Sequence, residues 1–144
     1  MSHSFHFLDD VATADLAFEV EGDSLEALFQ GATQAVIEIM ADPGTVGASW
    51  HQVIERSDVD PAALLFDWLS DLVYWKDAAG VVFHDAMLSL VREQSRWKLA
   101  ATVRGAPVDG ARQTLHNDVK GITKHLYDVK QEGVHWHARV VVDV

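Results

Sequence analysis

Asp9, Asp10 and Asp15 gather around the short segment Val11-Ala12-Thr13-Ala14, whose small side chains permit a tight backbone path between strands. A hard cation such as calcium or magnesium takes several oxygen ligands, with carboxylates supplying charge and carbonyls the remainder. The sequence closes Val140-Val141-Val142-Asp143-Val144, so a strand there delivers one side-chain carboxylate beside the terminal carboxylate. If that strand pairs near Asp15, three negative groups converge. The plainer alternative is an aspartate near a chain end that is simply solvated. Lys120 is the cation of interest, a lone base within an alternation of apolar and polar residues. It could neutralise a carboxylate cluster or contact a phosphate or an acidic partner; otherwise it is an outward lysine that protects a sheet.

The eight histidines raise the question of zinc. His135 and His137 lie two apart on an expected strand, so both point to one face, where imidazoles could share a metal. Two ligands do not complete a site, and both residues alternate with core candidates such as Trp136, which suits an outer or partly covered face. The sequence lacks the phosphate-binding Gly-x-x-x-x-Gly-Lys, the Gly-x-Ser-x-Gly nucleophile motif and His-Glu-x-x-His, so the usual nucleotide-binding and hydrolase signatures are absent. A stand-alone metal-dependent hydrolase using His125, His135 or His137 with an aspartate is the rival reading.

The elements that must position these residues follow from periodicity. Leu16 to Glu21 alternates large apolar with small or charged residues, as a strand with one covered face does, and ends at Gly22. Asp23 and Glu26 are spaced as a capping pair, and Leu25, Leu28, Phe29, Ala32, Ala35, Val36, Ile39 and Met40 recur at helical spacing up to Asp42-Pro43-Gly44. An irregular or edge strand is expected from Val46 to Arg56. Asp60-Pro61 opens a second helix, with the stripe Leu64, Leu65, Trp68, Leu69, Leu72 and Val73, and Ala79-Gly80 closes it. Val81-Val82-Phe83, Met87 to Arg92 and Trp97 to Arg104 read as strands, followed by a polar loop from Gly105 to Gln113. A regular strand is expected from Val119 to Val129, a turn at Gln131-Glu132-Gly133, and a return strand with Val134, Trp136, Ala138, Val140 and Val142 on one face. Two helices against a mainly antiparallel sheet make an α+β sandwich.

The chain of 144 residues, 49% of them hydrophobic, reads as one domain over 1–144 with no linker and no repeat. Zero cysteines exclude disulfides, thiolate nucleophiles and cysteine-based zinc or iron–sulfur sites. The start Met-Ser-His-Ser-Phe-His resembles no signal peptide, no apolar run suits a membrane, and a cytoplasmic location is expected. Acidic residues number 22 against 11 basic ones, a formal charge of −11. Phosphate backbones repel such a surface, so tight direct nucleic-acid binding is not expected; cations or a basic protein partner are. Charge kept only for solubility is the bland alternative.

Several segments together resemble the archease family: Phe7-Leu8-Asp9 with Thr13-Ala14-Asp15, then Gly22-Asp23-Ser24-Leu25-Glu26-Ala27-Leu28-Phe29, Leu64-Leu65-Phe66-Asp67-Trp68-Leu69, Val119-Lys120-Gly121-Ile122-Thr123 and the closing Val141-Val142-Asp143-Val144. The resemblance spans nearly the whole chain in order. It implies an α+β fold and a protein that assists an RtcB-type RNA ligase in tRNA splicing and RNA repair, promoting guanylylation of the ligase and its multiple turnover while carrying no catalytic residue of its own. It further implies a divalent-cation site, for calcium or magnesium, from the aspartate of the family's His-Thr-Ala-Asp motif, the penultimate aspartate and the terminal carboxylate. These fall on Asp15, Asp143 and Val144. The family's Val-Lys-Ala lysine falls on Lys120, and Glu26 falls on a matching helix start; both are implied to act in ligase activation. The chain departs from the pattern where Ala12 replaces the motif's histidine and where Leu8 to Asp15 is longer than usual, which leaves Asp9 and Asp10 as substitute oxygens.

Overall fold

The computed structural model describes residues 2–8 and 15–144. Asp9, Asp10 and Ala12 lie outside the described residues. Along the chain, β1 (His3–Leu8) and β2 (Asp15–Gly22) precede helix α1 (Leu25–Met40), a 3₁₀ turn (Pro43–Thr45) and β3 (Trp50–Asp58). Helix α2 (Pro61–Ala79), β4 (Val81–Glu93), β5 (Arg96–Pro107), β6 (Gly121–Glu132) and β7 (His135–Asp143) complete it. The α+β class holds, with the antiparallel strands divided between two sheets, β1-β2-β7-β6 and β3-β5-β4.

Both helices pack against strands of both sheets. Helix α1 meets β1 and β2 on one side and β4 on the other, which is why it is apolar nearly all round: Leu28, Phe29, Ala32, Ala35 and Val36 are fully buried. Helix α2 starts at Asp60, whose carboxylate accepts from the Ala62 amide, with Pro61 in the first turn, and stops at Gly80 in the left-handed region (φ 65). Its Trp68 Nε1 donates to Thr33 Oγ1 at 2.8 Å, and that hydroxyl donates to the Phe29 carbonyl at 2.6 Å, so the polar groups buried between the helices are paired.

The structure corrects several local expectations. The cap of α1 is Ser24, whose hydroxyl accepts from the Ala27 amide, while the Asp23 carboxylate turns away to accept from Ser2 N and Oγ. The irregular stretch after α1 resolves into the 3₁₀ turn and a strand that starts only at Trp50. The segments Val81–Phe83 and Met87–Arg92 are one strand, offset by a register shift between Phe83 and Asp85, and β5 continues through Gly105 to Pro107. The expected even alternation of β6 breaks between Thr123 and Asp128, where Tyr127 is drawn to α2: its hydroxyl donates to the Ala62 carbonyl at 2.6 Å. The last hairpin turns at Gly133 (φ 63) and Val134, which leaves Val134 exposed rather than on the covered face.

Candidate functional site

Strand β2 enters its sheet at Asp15, and β7 leaves the same sheet at Asp143. The antiparallel register sets these two residues directly opposite one another. Directly opposed residues share a face, and the parity of β2 decides which one: Leu16, Phe18 and Val20 point to the main core, so Asp15, Ala17 and Glu19 share the opposite face, on which Ala17 and its partner Val141 are themselves buried. The same parity buries Ala138, Val140 and Val142 of β7 and turns Asp143 to that opposite face beside Asp15. Both aspartates are partly exposed. Two carboxylates directly opposed across a strand pair repel, so the arrangement favours a shared positive charge.

The third strand of this row supplies no side chain. Gly121 of β6 pairs with Asp143 from the other side, and a Cβ placed there would meet nothing within 4 Å among the described residues. Val144 follows with its side chain packed against the core. Lys120 is exposed, and its amide donates to the Asp143 carbonyl at 2.8 Å, one residue before β6 begins. Four of the five residues implied by the sequence therefore meet at one end of one sheet: Asp15, Asp143, Val144 and Lys120.

The donor set suits a hard cation in type, since it is all oxygen. Its side-chain members number two, Asp15 and Asp143; among the described residues no three histidine or acidic side chains gather closely enough to hold a metal. Any further protein oxygen would be the Val144 carboxylate or a backbone carbonyl, and Asp9 and Asp10 remain outside the described residues. Among the described residues, Gly121 adds no side chain to this row.

Glu26 stands elsewhere. The seven residues of β2 after Asp15 carry the chain to the start of α1, roughly 24 Å at strand rise. There Glu26 Oε1 accepts from the Leu90 amide of β4 at 2.9 Å, bracing α1 on the second sheet. The histidines are dispersed as well. His135 is exposed, His125 is exposed within the irregular part of β6, and His137 is partly covered. His137 Nε2 lies 3.7 Å from Glu19 Oε2, an oxygen that is 3.3 Å from His6 Nε2. Glu19 thus sits between two imidazoles on the outer face, a grouping that the isolated sequence positions of His6 and Glu19 do not reveal.

Ion pairs around the fold hold its loops and edges. Arg104 grips Asp85 on β4, Nε to Oδ1 at 2.7 Å, and holds that carboxyl below the usual carboxylate range. At the end of α2 the Lys76 ammonium takes Asp118 at 2.5 Å and Asp77 at 2.8 Å. Burial works against the charge of Lys76, but the hydrogen bonds it donates to Asp118 and Asp77 outweigh that and hold the amine above its ordinary range. The same hydrogen bond, foremost, lowers the Asp118 carboxyl.

The match to known proteins covers this framework from end to end. Residues 5–144 fit the model of the Archease protein family (MTH1598/TM1083). The protein archease of Methanopyrus kandleri is 33% identical over 132 residues, covering 92% of this chain and 94% of that one. The protein archease of Methanothermobacter thermautotrophicus is 29% identical over 140 residues, 97% of this chain and 98% of the other. Among solved structures, the solution structure of Methanobacterium thermoautotrophicum protein 1598 superimposes with a TM-score of 0.79 at 27% identity, covering 97% of this chain and 98% of that chain. A crystal structure from Thermotoga maritima, described as an archease and possible chaperone, shares the fold with a TM-score of 0.60 at 20% identity, over 96% and 98% of the two chains.

Proposed function

Because the chain belongs to the archease family, as the fit over residues 5–144 shows, we propose that it is an accessory activator of an RtcB-type RNA ligase, acting in tRNA splicing and RNA repair rather than as an enzyme in its own right. The observation that carries this reading is the cross-strand pairing of Asp15 with Asp143, with Lys120 fastened to the Asp143 carbonyl and Gly121 adding no side chain to the row. In the proposal, Asp15, Asp143 and the Val144 carboxylate hold a divalent cation, calcium or magnesium. When bound, such a cation supplies concentrated positive charge toward phosphate oxygens.

The residues of this chain would contribute position and charge. Asp15 and Asp143 are fixed by strand register, so the site needs little rearrangement on docking. Lys120 extends a positive point charge from the same end of the sheet, suited to an acidic surface or a phosphate at the ligase. The remaining acidity keeps the chain from competing for RNA, which the ligase would hold. Glu26 would take part in activation from the far end of the sheet, through the α1–β4 joint that its carboxylate closes.

The test is the rate of guanylylation of an RtcB-type ligase from the same source, with and without this chain. Faster guanylylation and repeated turnover are expected, with no phosphoester turnover by the isolated chain. An unchanged ligase rate contradicts the proposal. Hydrolysis of a phosphoester by the isolated chain, lost in His135→Ala, would replace it with the hydrolase reading.

A further inference from the structure

The Asp143 end of β7 is fastened from outside its own sheet, and the fastening starts on α2. Lys76 occupies the last turn of that helix with its side chain only 8% exposed, its charge met by Asp118 and Asp77, which reach it from side chains that are 80% and 65% exposed. A buried ammonium requires such partners. Asp118 lies in the connection between β5 and β6, two residues before Lys120. Upstream of it, the connection hangs on carbonyls at the end of α1: the His116 amide donates to Met40 at 2.9 Å, and the Asn117 amide and Nδ2 each donate to Ile39 at 3.1 Å. Downstream, Val119 is fully buried and the Lys120 amide donates to the Asp143 carbonyl.

We infer that Lys76 is a positioning residue for the candidate cation site: its ion pair with Asp118 sets the path of residues 118–121, so that the Lys120 amide holds the Asp143 carbonyl and Gly121 pairs beside Asp143 without adding a side chain to the row. The geometry stands on the contacts just given; its consequence for a cation rests on the function proposed above. Asp118 and Val119 are consecutive in the chain, so one reaches out to Lys76 while the other pins inward. Losing the outer hold leaves the short run from Val119 to Gly121 to choose its own approach to β7. Lys76 does not belong to the Asp15–Asp143 row and would touch neither a cation nor the ligase through it.

The sign of the expected effect separates positioning from plain electrostatics. Removing a positive charge leaves the neighbourhood more negative, and Coulomb's law alone then predicts cation binding that is tighter or unchanged. Positioning predicts weaker binding. The experiment uses the full chain with Lys76→Met, which keeps the buried stem, and Asp118→Asn, an exposed change that keeps the fold if the first does not. Amide hydrogen exchange is read at Lys120 and in α1, and calcium alone is titrated. We expect protection of the Lys120 amide to fall about tenfold in both variants while α1 amides keep theirs, and calcium affinity to fall several-fold in Lys76→Met, the variant in which electrostatics alone predicts the opposite sign. Unchanged Lys120 protection in both variants overturns the inference, as does calcium affinity that rises in Lys76→Met. A native chain that binds no calcium, yet loses Lys120 protection on Lys76→Met, refutes the cation reading of the site and leaves the positioning role standing.

Discussion

Asp15 and Asp143 face each other across an antiparallel pair, a placement in which like charges cost stability unless a counter-charge is shared. Calcium should therefore raise the melting temperature of the native chain, with stabilisation of about 2.7 kcal/mol when free cation reaches about a hundred times its dissociation constant. Asp15→Asn and Asp143→Asn should abolish that rise while leaving the metal-free protein as stable or slightly more so. A calorimetric scan with and without calcium checks both points, and an undiminished rise in either variant contradicts the assignment. The positions of Asp15 and Asp143 near strand ends were legible in the sequence, and the family resemblance singled them out, but their direct opposition rests on the pairing of β2 with β7, which the sequence left conditional. The role of Glu26 as a brace was not legible: its spacing from Asp23 suits a cap, and nothing nearby in the chain reveals that the Leu90 amide, 64 residues later, needs an acceptor. The grouping of His6, Glu19 and His137 escapes for the same reason, since it arises from β1-β2-β7 adjacency.

Among the elements, the helices were the most readable, because Asp60-Pro61 and Gly80 carry their start and stop signals in the residues themselves. Strand β6 was the least, because its broken register answers to Tyr127 bonding α2 and to the Leu126 carbonyl, in a residue of positive φ, accepting from Arg139 Nε. Neither partner is near it in the chain. The joint between β4 and β5 was likewise hidden. A Cβ on Gly105 would fall 2.1 Å from the Val82 carbonyl oxygen, a distance that only separation of the strands could relieve. Gly105→Ala should cost about 2 kcal/mol or more, read as a lower urea midpoint with little change in slope. A midpoint within experimental error of the native protein would show that the two strands do not approach as described.

Over the whole molecule, the charge of −11 divides into carboxylates that are solvated, carboxylates that brace the fold and the pair proposed to hold a cation. The bracing ones set the acid response. Hydrogen bonding to Arg104 lowers the Asp85 carboxyl, and hydrogen bonding to Lys76 lowers Asp118. A depressed carboxylate contributes stability that is complete above its unfolded value, about 3.9, and disappears as pH falls through its folded value. Stability should hold steady from neutral pH to about 5 on account of these pairs and decline below about 4, with a shallower decline in Asp85→Asn; an acid limb as steep in that variant as in the native chain contradicts the role given to Asp85. The fold class was readable from the ordered segments of the sequence, whereas the division into two sheets, and with it the separation of Glu26 from Asp15 and Asp143, depends on which strands find each other. The most direct test of the account is the guanylylation rate of an RtcB-type ligase with the native chain and with Asp15→Asn/Asp143→Asn at equal concentration. The account predicts acceleration by the native chain and its loss in the double variant, whose melting temperature in metal-free buffer is no lower than the native chain's; equal acceleration by both would contradict it.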